Sequence, residues 1–475
     1  MARVFIARLV GLSVAFLQLA GCLLKPDFER PEVLTVPTFR DGATDVLTSA
    51  DMPWWKLFND PNLITLIKAA LEENRDLAVA MARIDEARAI LGVTRPDQFP
   101  RLDGSGGAVR SDPSDATLRT VGPYNDFSLL GRLGYEVDLW GRYASATEAA
   151  RAELLASEES YKAVTLSLVA QVATAYLQLL DFDRQIAISE RTLKNRHKNT
   201  VLIQERFKGG YTAKIDLNQA QIQEQDAAAA LVAIQRLRRQ TENALSVLLG
   251  HTPHAIVRSA ALTNPISPSS IPEGVPAMLL DRRPDVKAAE QTARAAVMRV
   301  GVARSTQFPS ISLFGVLGLN SRESTELFTS DGRTWSVGGN LLGPVIDLGK
   351  SWSRTDAAEA QARQALKSYE SVVLQAVREV EDAMVAVKTF AQEHEIRKVQ
   401  VQAAQSANML SRRRYDDGVT SYLEVLNTET SLFQADLARS NTLQRYQSSL
   451  VQLYRALGGG WQLPDRPAST DSGQL

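Results

Sequence analysis

The sequence predicts an α+β fold, mainly long antiparallel coiled-coil helices with four β-strands, built by an internal tandem duplication. Three observations lead to this prediction. Four long tracts contain neither glycine nor proline, the second pair of tracts repeats the lengths of the first pair, and short segments of alternating apolar and polar residues precede each pair.

Each long tract has the composition of a helix. Alanine, leucine, glutamine, glutamate and arginine dominate, and apolar residues in 161–180 recur at spacings of three, four and seven. The apolar stripe of so long a helix must be packed, so we expect Gly209, Gly210 and Gly418 to form the turns of antiparallel hairpins. Taken alone, such hairpins also fit a soluble coiled-coil scaffold. The tracts span residues 142–208, 211–249, 350–417 and 419–457.

Matching landmarks show the duplication. The Gln-Phe-Pro of residues 98–100 recurs at 307–309, and the Leu-Gly of 249–250 recurs at 457–458, at offsets of 209 and 208. We therefore predict two repeats, each with a shorter helix, a β-hairpin and a long helical hairpin. The first repeat covers 61–250, with its β-hairpin at about 99–139 and its helical hairpin at 141–249. The second covers 270–458, with a β-hairpin at about 308–348 and a helical hairpin at 350–457. The shorter helices are expected at 62–94 and 285–306.

The strands are predicted from alternation. Every second residue of 127–139 is apolar, 310–320 and 333–346 alternate less regularly, and 100–111 is the expected fourth strand. A soluble sandwich and a transmembrane barrel both produce this pattern. Four strands cannot close a barrel, and lipid does not tolerate open sheet edges. Strands that meet lipid would therefore require two chains to supply eight strands or three to supply twelve.

The N-terminus has the pattern of an export signal. Arg3 and Arg8 precede an apolar run at 9–20, which is too short to span a bilayer and ends before small residues. Residues 19–22, Leu-Ala-Gly-Cys, resemble the bacterial lipobox, and Cys22 is the only cysteine. We predict a lipoprotein signal peptide at 1–21, a lipid on Cys22 and an extended lipidated segment at 22–60. The alternative is an ordinary signal peptide with a chance cysteine.

Several function classes lack support in the sequence. Lys and Arg number 53 against 54 Asp and Glu, so no nucleic-acid partner is indicated. There is no phosphate-binding loop and no catalytic triad pattern, and no later stretch has 18 consecutive apolar residues. The four histidines form no ligand cluster, and the His251 and His254 pair is expected in a surface loop. We predict no catalytic residue, no metal site and no cofactor beyond the lipid on Cys22.

Further motifs carry a family resemblance. Residues 279–286 read Leu-Leu-Asp-Arg-Arg-Pro-Asp-Val, and residues 456–461 read Ala-Leu-Gly-Gly-Gly-Trp. Together with the lipobox and the duplicated plan, they resemble the bacterial outer-membrane efflux protein family over residues 52–461. Within it, the chain is similar to TolC-type channels of the OprM/NodT-like lipoprotein branch. The predicted C-terminal tail is 459–475.

The resemblance implies an architecture and partners. It implies a homotrimer whose chains share a 12-stranded barrel in outer-membrane lipid, above a periplasmic α-barrel. It also implies a periplasmic adaptor protein and an inner-membrane pump of the RND type. The channel would then be a passive conduit that exports drugs or other small toxic compounds. Metal-ion efflux and type I protein secretion remain alternatives within the fold, and a soluble periplasmic coiled-coil scaffold is the alternative outside it.

The resemblance also implies site residues at the hairpin turns. Three chains would form a ring of Glu424 carboxylates that attracts cations, and a latch would join Tyr415 to Asp216. The family often has Arg or Asp at the position of Thr420. Solvated charges and conformationally required glycines are the structural alternatives for these residues. The implied aperture comprises Tyr415, Asp416, Asp417, Thr420, Glu424 and Asp216; the implied adaptor-docking turns are Gly209, Gly210, Tyr211 and Thr212 with Gly418, Val419 and Thr420.

Overall fold

The computed structural model describes residues 26–31, 60–112, 122–259 and 281–459. The predicted signal peptide, Cys22 and residues 460–475 of the tail lie outside the described residues. In the first repeat, the elements are α1 (Pro61–Glu73), α2 (Arg75–Thr94), β1 (Arg101–Ser111), β2 (Tyr124–Val137), α3 (Arg142–Lys208) and α4 (Lys214–Leu248). In the second, they are α5 (Pro284–Ser305), β3 (Ser310–Ser321), β4 (Arg333–Leu342), α6 (Lys350–Asp416) and α7 (Tyr422–Ala456).

The predicted helix at 62–94 is two helices that meet at Asn74. The Asn74 backbone is extended, with ψ 132°, and its side chain accepts a hydrogen bond from the Leu77 amide at 3.0 Å. The Asn74 Nδ2 donates to the Leu248 carbonyl at 2.8 Å. One asparagine thus ends α1, caps α2 and fastens both to α4. The expectation of a single helix was wrong because an asparagine, without glycine or proline, makes this break.

Equivalent hydrogen bonds repeat in the two halves of the chain. The Gln98 side chain donates to the Thr147 hydroxyl at 2.6 Å, and the Gln307 side chain donates to the Thr355 hydroxyl at 2.7 Å. Each bond ties the segment before a β-hairpin to the first turns of the long helix after it. The duplication is therefore present in side-chain contacts as well as in the order of the elements.

The four strands form one antiparallel sheet in the order β1-β2-β3-β4. The central pair, β2 with β3, joins the hairpin of the first repeat to that of the second, with Leu133 opposite Gly315. Strand β4 ends at Leu342, four residues before the predicted end at 346. Gly343 and Pro344 follow, and proline cannot donate to a strand ladder, which explains the earlier end.

The register separates the sheet into an apolar and a polar face. One row across the apolar face shows this: Leu102 of β1 pairs with Leu133 of β2, Leu133 pairs with Gly315 of β3, and Gly315 pairs with Val337 of β4. Many large side chains of the apolar face, including Leu102, Leu317 and Trp335, are exposed within the single chain. The polar face carries Arg101, Asp103, Asp126, Ser128, Arg132, Glu136, Ser312, Asn320, Ser336 and Asn340, with some apolar residues between them.

The described residues divide into two compact units. One contains 26–31, 83–112, 122–158 and 288–371 and holds the sheet. The other contains 60–82, 159–259, 281–287 and 372–459 and holds both helical hairpin turns. Its largest apolar cluster is centred on α3, where Tyr176, Leu177 and Leu179 are fully buried.

One segment of α3 is apolar enough, by length and composition, to cross a bilayer. However, 61% of that segment is buried, and Val172, Leu177 and Leu180 belong to the apolar cluster just described. Burial by neighbouring helices explains the composition, so we assign this segment to the helical core.

Candidate functional site: the turns of the two helical hairpins

The two helical hairpins end in the same turn. Gly210 has φ +77°, and the Tyr211 amide donates across it to the Arg206 carbonyl at 2.8 Å. Gly418 has φ +72°, and the equivalent bond from the Val419 amide is also 2.8 Å. This is the Schellman ending, which requires a left-handed residue after the helix. The glycines therefore have a conformational role in both turns.

A threonine and a carboxylate then open each returning helix. The Thr212 hydroxyl donates to the Asp216 carboxylate at 2.6 Å, and the Thr420 hydroxyl donates to the Glu424 carboxylate. Both carboxylates lie in the first turn of a helix, where the helix dipole favours negative charge. Two of the predicted aperture residues are thus held in place by their own turns.

Glu424 also has a cationic neighbour across its hairpin. The Arg414 guanidinium lies 3.3 Å from the Glu424 carboxylate, and both side chains are more than one-third exposed. An exposed pair of this kind contributes little to stability. It does offset part of the negative charge that Glu424 brings to the turn.

Tyr415 connects the two hairpins. Its ring lies 5.4 Å from the Tyr422 ring, and the Arg206 guanidinium of the first hairpin lies over it at 5.1 Å from the centroid. Within one chain, therefore, Tyr415 contacts Tyr422 and Arg206, whereas Asp216 is bonded to Thr212. The apolar cluster around this contact comprises Ile203, Ala220, Tyr422, Val425 and Leu426, with Leu217 and Tyr415 packed against it.

The turns expose apolar side chains at their ends. Tyr211 is 86% exposed and Val419 is 68% exposed. They follow the glycines of the two turns, at equivalent positions. Asp416 is the last residue of α6, and Asp417 follows it at the exposed end of the hairpin. The sequence-predicted docking residues therefore lie at the accessible end of this unit.

An ion pair with one buried partner, near the turns, was missed by sequence reasoning. The Arg412 guanidinium lies 2.6 Å from the Glu429 carboxylate, which also accepts from the Asn199 side chain at 2.8 Å. The Glu429 side chain is only 8% exposed. Burial of the Tyr422 phenol is the main cause that raises its pKa, and the negative charge of Glu429 is the second cause, so the phenol stays protonated. The sequence does contain a signal for the burial of Glu429. Its position continues the helical spacing of Tyr422, Val425 and Leu426, so it lies on the same packed face of α7.

A family comparison matches almost all of the described chain. The family model described as "Outer membrane efflux protein" matches residues 66–251 and 275–459. These two matches follow the internal duplication.

Relatives of similar length are found in several bacteria. The outer membrane protein OprJ of Pseudomonas aeruginosa is 33% identical over 455 residues, covering 94% of each chain. The toluene efflux pump outer membrane protein TtgC of Pseudomonas putida is 32% identical over 462 residues, covering 95% of this chain and 96% of the relative. The probable outer membrane lipoprotein SilC of Salmonella typhimurium is 31% identical over 463 residues, covering 96% and 99%.

Solved structures share the fold. A membrane protein from Pseudomonas aeruginosa has a TM-score of 0.86 at 33% identity, covering 93% of this chain and 98% of that one. The CmeC outer membrane channel of Campylobacter jejuni has a TM-score of 0.85 at 26% identity, covering 94% and 96%. The transmembrane channel CusC has a TM-score of 0.80 at 30% identity, covering 92% and 100%. The predicted fold class is confirmed by these neighbours.

Proposed function

This chain belongs to the outer membrane efflux protein family and is an outer-membrane channel protein, not an enzyme; on that premise we propose that it is the outer-membrane component of a tripartite efflux system. In that role it forms a passive conduit from an inner-membrane pump, through a periplasmic adaptor, to the exterior. The energy comes from the pump, since the sequence contains no nucleotide-binding loop.

The sheet supports assembly as a homotrimer. Among the described residues, strands β1 and β4 each have one unpaired edge, and the apolar face is exposed. In lipid, such edges must pair, and a barrel closes only with more strands than one chain supplies. Three copies provide twelve strands. This exposed apolar face with two open edges is the observation that carries the proposal.

The Leu-Ala-Gly-Cys motif at residues 19–22 and the name of the relative SilC, a probable lipoprotein, support lipid attachment at Cys22. The described residues that follow are held against α5. A Cβ atom on Gly301 would lie 2.9 Å from Cδ of Pro26, so Pro26 packs closely on α5. Farther along, the Arg30 guanidinium forms two hydrogen bonds with the Glu290 carboxylate, at 2.7 and 3.1 Å. Pro26 is four positions after Cys22, a reach of at most about 14 Å. The lipid would therefore be attached close to the helix that leads directly into β3.

The turns support roles in docking and closure. Their exposed apolar ends at Tyr211 and Val419 suit contact with an adaptor. We assign docking to the two turns, with Gly209, Gly210 and Thr212 in the first and Gly418 and Thr420 in the second. The aperture is assigned to Tyr415, Asp416, Asp417, Thr420 and Glu424 together with Asp216, with the Tyr415 to Asp216 latch formed when the channel is closed.

Organic compounds are the proposed cargo, because the name of the relative TtgC specifies toluene efflux. The polar sheet face offers a water-lined passage. Selection of the compound would then belong to the pump.

The test is complementation. The chain would be expressed with the adaptor and pump encoded beside it in a host without its own efflux channels, and growth would be measured with antibiotics, toluene, silver and copper. Increased tolerance to organic compounds is expected, and a Cys22→Ser variant serves as the control for anchoring. Tolerance restored for metal ions alone would replace the proposed cargo, and no restored tolerance would overturn the proposal.

A further inference from the structure

A polar pocket of about 200 Å³ lies between α3, α6 and α7. Arg191 and Arg196 line it from α3, and Arg412 lines it from α6. The lining carboxylates are Glu429 and Asp436 of α7. Three guanidinium groups against two carboxylates leave one positive charge in excess.

The neighbourhood of the pocket does not remove this excess. Outside the lining, the negative charge of Asp226 acts on Arg196, and the positive charge of Arg439 acts on Asp436. These two additional charges cancel each other. The pocket therefore favours an anion over a neutral molecule or a cation.

Of the three arginines, Arg196 alone has no ion pair with a carboxylate among the described residues. The charge of Glu429 acts on it from a longer distance, and its guanidinium lies over the Phe433 ring at 5.4 Å from the centroid. Arg191 lies 3.0 Å from the Asp436 carboxylate, and Arg412 lies 2.6 Å from that of Glu429. Arg196 instead donates from one terminal nitrogen to the Gln223 carbonyl at 2.6 Å. Its other terminal nitrogen donates to the Thr430 hydroxyl at 3.5 Å. The residue is only 4% exposed, and burial lowers its pKa. A buried charge of this kind requires a compensating anion or strong acceptors.

Buried polar atoms around the pocket also lack partners: two donors and one amide oxygen. Among the residues that the structure describes, Nε of Arg196, Nε of Arg412 and Oδ1 of Asn408 are buried without a hydrogen-bond partner. All three residues line the pocket. As placed, Asn408 Oδ1 is an acceptor; exchanging the oxygen and nitrogen of this amide would present its NH₂ group as a third donor. Buried donors are almost always satisfied in folded proteins, so a missing acceptor is indicated here.

We propose that this pocket binds a small oxyanion of the phosphate or sulfate class. The planar guanidinium fork matches the oxygen spacing of such an ion, and several oxygens can serve donors from different helices at once. The volume equals several water molecules at about 30 Å³ each, so a tetrahedral oxyanion fits with water beside it. A bound oxyanion joins Arg196 of the first hairpin to Arg412 of the second and so stabilises the packing of α3 against α6.

The test is calorimetric titration of the purified full-length protein in detergent with inorganic phosphate and with sulfate, at constant chloride. Saturable binding is expected for the wild type. Arg196→Gln and Arg412→Gln are expected to weaken it about tenfold or more, since each removes a charge-assisted hydrogen bond. The matched control is Arg397→Gln. Arg397 is also on α6 and is about as exposed as Arg412, but it pairs with Glu393 at 3.3 Å and does not line the pocket; the affinity of this variant should equal that of the wild type.

A second measurement separates binding from folding. At one fixed phosphate concentration, phosphate should raise the unfolding temperatures of the wild type and of Arg397→Gln by the same amount, and should raise that of Arg412→Gln by less. Arg412 is partly exposed, so its substitution is the decisive one if Arg196→Gln fails to fold. Absence of saturable phosphate and sulfate binding by the wild type would overturn the proposal. Equal affinity of Arg412→Gln and Arg397→Gln would overturn it as well.

Discussion

Asn74 and Arg283 occupy equivalent positions in the two repeats, and each donates a hydrogen bond into the last turn of the helix that closes its repeat. Asn74 Nδ2 reaches the Leu248 carbonyl at 2.8 Å, and Arg283 Nη1 reaches the Ala456 carbonyl at 3.0 Å. The following glycines are also equivalent, because Gly250 and Gly458 both have left-handed φ values. The duplication has kept the contact while changing the residue that makes it.

This relationship predicts unequal costs for substitutions at the two positions. Arg283 is buried and also pairs with Asp285 at 2.6 Å and with Glu379 at 2.9 Å. Among the described residues, Arg283→Ala leaves Glu379 with only the longer contact to Arg455, at 3.6 Å. This substitution should lower the free energy of unfolding by about 3–5 kcal/mol. Asn74→Ala removes a cap and one hydrogen bond and should cost about 1–2 kcal/mol.

Unfolding of the purified protein, followed by circular dichroism, measures both costs. Arg88→Ala is the control, since Arg88 forms an exposed pair with Asp85 and its loss should change stability by less than about 0.5 kcal/mol. Equal costs for Asn74→Ala and Arg283→Ala would contradict the structural account.

A second prediction concerns acid sensitivity at His394. Burial, and then the positive charge of Arg439, lower the pKa of this imidazole, whose Nδ1 has no partner among the described residues. Below pH 6.5, the ordinary histidine value, the unfolded chain takes up the proton before the folded chain does. Stability should therefore fall as the pH decreases from 6.5, until the lower folded-state pKa is passed. The charged groups that act on His394 are Arg439, Glu395, Lys398 and Arg184.

His394→Gln should remove this part of the pH dependence. Unfolding temperatures would be compared at pH 7.5 and 5.5 for the wild type, His394→Gln and His197→Gln. His197 is exposed and bonded to Glu224 at 2.7 Å, so it serves as the matched histidine control. If the wild type and His394→Gln lose the same stability between the two pH values, the assignment to His394 fails.

Much of this fold could be predicted because glycine and proline mark its element ends. The ends of α3 and α6 follow the glycine-free tracts, since a left-handed residue is needed after each helix. The break at Asn74 could not be predicted, because it depends on the Leu248 carbonyl, which is remote in sequence. At the site, the turns were predictable from Gly210 and Gly418. The Arg412 to Glu429 pair depends on the packing of three helices.

A third prediction tests the glycine requirement of the second turn. Gly418 has φ +72°, and a Cβ atom placed there would meet nothing within 4 Å. Gly418→Ala should therefore cost only the backbone strain of the left-handed conformation, about 1–2 kcal/mol. Gly418→Asn should cost less, because asparagine adopts that conformation more readily. Hydrogen exchange of the turn amides gives the local cost. Similar exchange in the alanine and asparagine variants would contradict the assignment of the cost to the left-handed φ of this residue.

The last prediction concerns closure of the channel. Tyr415→Phe keeps the ring contacts with Tyr422 and Arg206 and removes only the hydroxyl, so the tip packing should persist. If that hydroxyl forms the proposed latch with Asp216, the variant should raise single-channel conductance in planar bilayers. Glu424→Ala should also raise it, because the link from Thr420 to Glu424 that orders the second turn is lost. Glu205→Ala is the control, since its exposed pair with Lys208 lies on one helix. Unchanged conductance in both Tyr415→Phe and Glu424→Ala would refute the assigned aperture, whereas an increase in Tyr415→Phe alone would assign closure to the tyrosine hydroxyl.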